Sequence, residues 1–301
     1  HCKFGEEGIC CRICTMGPCR ITKKAPRGIC GCDVHGIVGR NYLKFTAGGA
    51  ATHSDHGREI CHTLYEASAD GCYKVKDPEK LIRIAKEWGM ETEGKDIYEL
   101  AHEVALEGLM EYGKPFGTQR FLKRAPESQQ KLWEENELAP HAIDREVSRS
   151  LHMAHMGCSS KPEALVKQSI RAGLSDGWGG SMMGTELSDI LFGTPKPIET
   201  EANLGVMVEE NVNIVVHGHD PSLSEMICEV ADSPEMIAYA KEQGAKGITI
   251  SGVCCTSNEV AMRRGIPMAG NFLQQENVVL TGACEAIVVD VQCIFPALGP
   301  L

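Results

Sequence analysis

Five cysteines stand between Cys2 and Cys19 in "CKFGEEGICCRICTMGPC", and Cys30 follows in "RGICG". The run Cys11-x2-Cys14-x4-Cys19-x10-Cys30 has the short spacings that let one loop wrap an iron–sulfur cluster, with glycines allowing the backbone close to the sulfides. Zinc also accepts four thiolates, usually from two paired C-x2-C knuckles, and this segment has one knuckle. Reduced structural thiols or disulfides are the other readings. Cys10 and Cys11 are adjacent, so in an extended segment they point to opposite sides and can serve different centres. Cys2 and Cys10 cannot complete a four-thiolate site by themselves, but two copies of them across a two-fold axis can. The competing reading of Cys2 is a frayed terminus.

A second set lies far along the chain. His217 and His219, Cys254 and Cys255, and Cys293 each close a β-branched run ("NVNIVVHGH", "KGITISGVCC", "EAIVVDVQC"). If these runs are parallel strands, their carboxyl ends share one edge, where open α/β sheets gather ligands. Mixed imidazole and thiolate donors suit zinc, iron or nickel better than magnesium or calcium. Against this stands the ordinary buried cysteine, a small inert hydrophobe, the reading given to Cys228 and Cys284. A third set is "HSDHGREICH", where His53, His56 and His62 titrate near neutrality and could pass protons along a row. The alternative there is a solvated helix start capped by Ser54 or Asp55. Cys32, Cys61, Cys72 and Cys158 have no spacing partner, and "GLSDGWGGSMMG" lacks the strand-then-helix context of a nucleotide loop.

The elements that must position these groups follow from periodicity. Residues 1–35 are rich in Cys, Gly and Pro, and residues 40–175 carry helical i, i+3, i+4, i+7 patterns, as in "KLIRIAKEWGM" and "DIYELAHEVALEGLMEYG". "FGTPKPIETEANLG" reads as a linker, and beyond it strand, helix, strand, helix, strand predicts a parallel sheet with crossover helices. The predicted fold is multi-domain α + α/β: residues 1–200 form an iron–sulfur-binding and helical domain, and residues 201–301 begin a Rossmann-like α/β domain. At 301 residues there is length for two cores. A net charge of −11 argues against non-specific nucleic-acid or anionic-membrane binding. No run of about 18 apolar residues offers a membrane span. Fifteen cysteines, an odd number in a chain able to bury its own core, read as reduced cytoplasmic thiols holding metal. Both ends, His1 and "FPALGPL", read as internal points of a longer chain.

Taken together, "CKFGEEGICCRICTMGPCRI", "RGICG", "HSDHGR", "GTELSDILFGTPKP", "NIVVHGHDPSLSE", "GVCCTSNE", "GIPMAGNFLQQE" and "VDVQC" resemble the N-terminal half of the nickel–iron carbon monoxide dehydrogenase catalytic subunits of the anaerobic type. The resemblance implies reversible oxidation of carbon monoxide with water to carbon dioxide, two protons and two electrons. It implies that Cys2 and Cys10 bind a [2Fe-2S] or [4Fe-4S] cluster shared across a homodimer, and that Cys11, Cys14, Cys19 and Cys30 bind a [4Fe-4S] relay cluster. His219, Cys255 and Cys293 would be ligands of the Ni–Fe–S centre, and His53, His56 and His62 the proton relay, with Glu59 standing where family members often carry another histidine. Three more cysteines and a lysine of the family pattern fall outside these residues. The implied partners are a ferredoxin-like electron acceptor and an acetyl-CoA synthase subunit. The readings kept beside it are a hybrid-cluster, hydroxylamine-reducing protein, a non-catalytic electron-transfer module and a structural zinc protein.

Overall fold

The computed structural model describes all 301 residues except the side chain of Asp70. In chain order its elements begin with α1 (Lys3–Glu6), β1 (Cys10–Cys11), β2 (Cys19–Arg20), α2 (Val34–Asp70), α3 (Pro78–Glu87) and α4 (Ile97–Glu111). After a 3-10 turn at Arg120–Arg124 come α5 (Glu127–Glu135), α6 (Ile143–Ala154) and α7 (Pro162–Ser175). A π-helical turn, Asp176–Ser181, runs directly into α8 (Met182–Phe192). The remainder is β3 (Val212–Gly218), α9 (Pro221–Ala231), α10 (Pro234–Glu242), β4 (Ile248–Val253), α11 (Cys254–Arg264), β5 (Met268–Gly270), α12 (Gln275–Leu280) and β6 (Ala286–Val289).

The chain forms two compact units, His1–Tyr65 with Glu103–Glu186, and Glu66–His102 with Leu187–Leu301. These units are drawn differently from a division at residue 200. The buried Lys80–Asp189 ion pair, together with Asp189–Arg263 at 2.8 Å, ties α3 and the end of α8 to the sheet-bearing unit.

In the first unit, β1 and β2 make a short antiparallel hairpin with Cys11 opposite Cys19. Leu43 of α2 packs with Ala154 of α6 and Leu165 of α7, all fully or almost fully buried. In the second unit, three helices start at a polar cap followed by proline. Asp77 accepts from the Lys80 N–H at 2.9 Å, Asp220 from Ser222 at 2.8 Å, and Ser233 from Met236 at 3.3 Å. Each cap satisfies an orphan donor, and proline suits the first helical position because it has no N–H to leave unpaired.

The four-stranded sheet is wholly parallel, in the order β5-β4-β3-β6. β3 is central, and its last four residues are all buried, as expected of a parallel strand covered on both faces. The chain builds outward from β3 to β4 and β5, then returns to the other side of β3 for β6. The order therefore reverses between β3 and β6, and the crevice beyond such a reversal is where open α/β sheets take their ligands. β5, in "GIPMAGNF", was not foreseen: three residues are too short to show alternation. Cys254 and Cys255 do not end a strand either; they open α11, immediately after β4.

Candidate metal centres

The N-terminal thiols gather around one turn. β1 carries the doublet in extended backbone, and Cys11 is buried while Cys10 is only half-buried, so the neighbours do face different surroundings. Cys11 sits across from Cys19, and a Cβ on Gly17 would press tightly on Cys11 O and Cys19 N, at 3.0 and 3.1 Å. The Ile29 N–H points to Cys19 Sγ at 3.5 Å, and Arg40 Nη1 to Cys30 Sγ at 3.7 Å. The Cys30 thiol is held below its ordinary value, first by the Cys32 backbone N–H and then by Arg40. Cys32, 3% exposed, is pushed the other way by burial. Cys2 is exposed at the start of α1, its thiol lowered by the backbone N–H groups of Gly5 and Phe4.

Among the described residues, no three His, Cys, Asp or Glu side chains crowd closely enough to hold a single ion. One zinc at ~2.3 Å from each sulfur needs such crowding. A cubane cluster takes each thiolate on a different iron, so its four sulfurs stand farther apart. Four thiols on one short hairpin and the turn after it, backbone and guanidinium N–H groups aimed at two of the sulfurs, and a buried cation beside them fit a negatively charged cluster.

At the sheet edge, the two histidines of β3 and the turn after it part company. His217 is fully buried, with Nδ1 3.3 Å from Val253 O and Nε2 3.1 Å from Gln275 Oε1, which makes it a satisfied core residue. His219 lies one residue past the strand, with both ring nitrogens withdrawn from solvent. Its backbone N–H donates to Asp290 Oδ1, which also accepts from Asp220 N at 3.1 Å and Val291 N at 2.5 Å. A Cβ on Gly218, at φ +146°, would fall on that carboxylate, so the turn needs glycine both for its backbone and for space. Asp290 thus fastens the histidine-bearing turn to the segment leading into Cys293.

Gln275 provides the second tie. Its side-chain N–H groups reach Phe272 O at 2.6 Å and Cys293 O at 2.9 Å, and its oxygen accepts from Phe295 N at 2.8 Å. Cys254 Sγ stands 3.8 Å from Cys255 Sγ and is within reach of Cys293. Cys254, Gln292 and Cys293 all have left-handed backbone, at φ 71°, 68° and 58°. Cys254 is buried while Cys255 and Cys293 are exposed; partial desolvation still raises all three thiols, and the charge of Cys293 and of Asp290 adds to this at Cys255. Thiol and imidazole donors at one sheet edge suit a nickel, iron or zinc centre, which binds cysteines as thiolates by displacing their protons. The pairs Gly218–Cys254 and His217–Val289 place the three strand ends side by side.

In the first unit, "HSDHGREICH" falls in the middle of α2, not at its start. The glycines explain its seating. Gly180 of the π-turn lies against His53 C and O, and Gly184 against His56 Cε1, so helix and π-turn meet backbone to backbone. His53 Nδ1 is 2.6 Å from Asp176 Oδ1, and that hydrogen bond raises the imidazole's pKa. Asp176 is the first residue of the π-turn, and such turns recur at functional sites. Down the row, His53 is half-buried, His56 buried, and Glu59 and His62 exposed. Steps of three residues slip back about 60° around a helix, so the row winds from interior to surface.

Asp290, Gln275, Asp176 and Arg40 were missed by sequence reasoning. Asp290 and Gln275 lie within quoted motifs, but carboxylates and amides carry no spacing rule for supporting a ligand.

The Prismane/CO dehydrogenase family model matches residues 9–301. Carbon monoxide dehydrogenase 1 of Methanosarcina acetivorans is 50% identical over all of this chain and 49% of its own length. The carbon monoxide dehydrogenase/acetyl-CoA synthase subunit beta of Moorella thermoacetica is 43% identical, covering 99% of this chain and 45% of its own. A nickel-free crystal structure of carbon monoxide dehydrogenase from Thermococcus sp. AM4 superposes with a TM-score of 0.96 at 50% identity, over 99% of this chain and 48% of that one. The chain spans about half the length of these relatives. It belongs to the Prismane/CO dehydrogenase family.

Proposed function

We propose that this chain forms part of an anaerobic nickel–iron carbon monoxide dehydrogenase. The observation that carries the reading is the sheet edge. His219 lies one residue past β3, Cys255 opens α11 just after β4, and Cys293 sits not at the end of β6 but four residues beyond it, so all three follow adjacent parallel strands, with Asp290 and Gln275 fixing two of the three backbones.

His219, Cys255 and Cys293 would hold the Ni–Fe–S centre together with ligands from outside these residues. When bound, that centre supplies the redox chemistry: CO + H2O gives CO2, two protons and two electrons. His53, drawn toward its protonated form by Asp176, passes protons along His56 and His62, with Glu59 in the row. Cys11, Cys14, Cys19 and Cys30 would hold a [4Fe-4S] relay cluster. Cys2 and Cys10 would together give half the ligands of a cluster shared by a homodimer, which hands electrons to a ferredoxin-like acceptor. The name of the Moorella relative makes an acetyl-CoA synthase subunit a further candidate partner. No helix among the described residues is long and apolar enough to cross a membrane. The many reduced thiols favour the cytoplasm.

The test is the complete protein, prepared without oxygen. It should contain nickel and iron and reduce a viologen dye under carbon monoxide. His219→Ala and Cys255→Ala should abolish that activity and leave the paramagnetic signal of the N-terminal cluster. Full activity without nickel, or hydroxylamine reduction without carbon monoxide oxidation, would overturn the assignment.

A further inference from the structure

Arg40 is a charged side chain only 3% exposed, in the second turn of α2. Its guanidinium is fully engaged on one side: Nε and Nη2 both donate to Ser159 O, at 3.1 and 2.7 Å. The remaining arm, Nη1, reaches Cys30 Sγ at 3.7 Å. Among the described residues no carboxylate forms an ion pair with it. The groups that feel its charge are Cys30, Cys32 and Cys11. A buried cation without a counter-ion is costly, and natural proteins pair such charges. The groups described beside the guanidinium that can supply negative charge are sulfurs.

We propose that Arg40 is a positioning residue that raises the reduction potential of the relay cluster and fixes the Cys30 sulfur in it. This rests on the assignment of Cys11, Cys14, Cys19 and Cys30 as that cluster's ligands. The physical basis is simple. Reduction adds one negative charge to a thiolate-bound cluster, so a fixed neighbouring cation stabilises the reduced state more than the oxidised one. A hydrogen bond to a ligand sulfur acts in the same direction, and both are recognised controls of cluster potential. Arginine suits the task because its planar fork spends two N–H groups on Ser159 and still presents a third at a set angle. The acceptor is firmly placed as well. The neighbouring Ser160 O sits where it would lie 2.9 Å from a Cβ on Gly36, so this loop presses on the start of α2. Lysine could bring charge, but it could not hold Ser159 twice and Cys30 at once.

The experiment is a redox titration of the complete, anaerobically assembled protein, following the reduced cluster by electron paramagnetic resonance and measuring iron alongside. At the potential where the wild-type cluster is half reduced, Arg40→Gln should lower the reduced-to-oxidised ratio about tenfold, a downward shift of ~59 mV for a one-electron couple. Arg40→Lys should recover part of that shift, because it restores the charge without the fork. Iron content should stay at the wild-type level in at least the lysine variant. An unchanged midpoint in Arg40→Gln with full iron and a normal signal would overturn the proposal and leave Arg40 a loop anchor. An unchanged midpoint in Arg40→Lys, where Arg40→Gln fails to retain iron, would also overturn tuning by the fork. A wild-type protein with no signal from this cluster would instead sink the ligand assignment, and this role with it.

Discussion

In the N-terminal segment, Cys11, Cys14, Cys19 and Cys30 lie within residues 11–30, and one hairpin and one turn are enough to gather them. At the sheet edge, His219, Cys255 and Cys293 span residues 219–293, and only the folded parallel sheet brings their strand ends together. The first region encodes its geometry in spacing; the second encodes it in topology. They therefore depend on different kinds of support. Around the N-terminal thiols the helpers are backbone N–H groups and one arginine. At the sheet edge they are side chains that tie loops to each other, Asp290 and Gln275, backed by a buried ion-pair web. Arg263 in that web meets Asp189 at 2.8 Å and Glu225 at 3.3 Å, while Arg264 meets Glu225 at 2.6 Å.

This difference can be broken with paired substitutions. Gly218→Ala puts a methyl group onto the Asp290 carboxylate in a backbone conformation that alanine avoids, so the sheet edge should fail as a unit. Nickel should be lost with at least ~100-fold of carbon monoxide oxidation, while the N-terminal cluster's signal survives. Cys14→Ala should do the reverse, removing iron from the relay cluster and leaving nickel in place. Loss of both signals in either variant would mean that the two regions are not independent.

Asp290→Asn sharpens the same point more gently. An amide can keep the oxygen that accepts the three backbone N–H groups but gives up the charge. A loss of roughly 10–100-fold in turnover, the range for residues that support metal ligands, is expected, with metal content largely retained. Wild-type turnover would show that the tie is dispensable.

A smaller effect is expected in the histidine row. Asp176 raises the His53 pKa, so its contribution to stability is complete below the ordinary histidine range, about 6.5, and fades as pH rises through the folded value. Asp176→Asn should lower the His53 pKa, readable by NMR of labelled imidazole, and move the limb of the activity profile that His53 controls to lower pH. An unmoved profile would remove His53 from the proton path.

The least effect concerns Glu259, one turn beyond Cys255 on α11. Burial first, offset by Arg263 and reinforced by Asp189, pushes its carboxyl up to about 7. A carboxyl raised in the folded state costs stability as pH climbs from its ordinary value near 4.5 through 7, and the cost is complete above that. Glu259→Gln should flatten this part of the melting-temperature profile between pH 5 and 8, with little change in metal content.

Much of this arrangement could be read from residues alone. The parallel sheet, its helices and the linker after Phe192 follow from β-branched runs and helical periodicity, because those patterns report burial directly. The Cys11–Cys30 spacing is local, so it too was readable. What stayed hidden depends on contacts far apart in sequence. Asp290 acts on the turn at His219, Gln275 on Cys293 and His217, and Asp176 on His53; none of these pairs has a characteristic interval. The π-turn at Asp176–Ser181 and the three-residue β5 escaped because each is too short to set up a period. From the sequence, the glycines of "DGWGGS" read only as lacking a nucleotide-loop context, and their close packing on α2 appears only in the folded chain.

Four non-glycine residues have left-handed backbone among those described, and three of them, Cys254, Gln292 and Cys293, belong to the sheet edge. Each such conformation costs about 1–3 kcal/mol unless its surroundings hold it. Ligand bonds to a metal centre would be part of that hold, since anything bound only by the folded form stabilises it. Protein awaiting its metal should then soften first at these loops. Limited proteolysis of metal-free material would be expected to nick the chain near Cys254 and Gln292 well before the helices of the first unit yield.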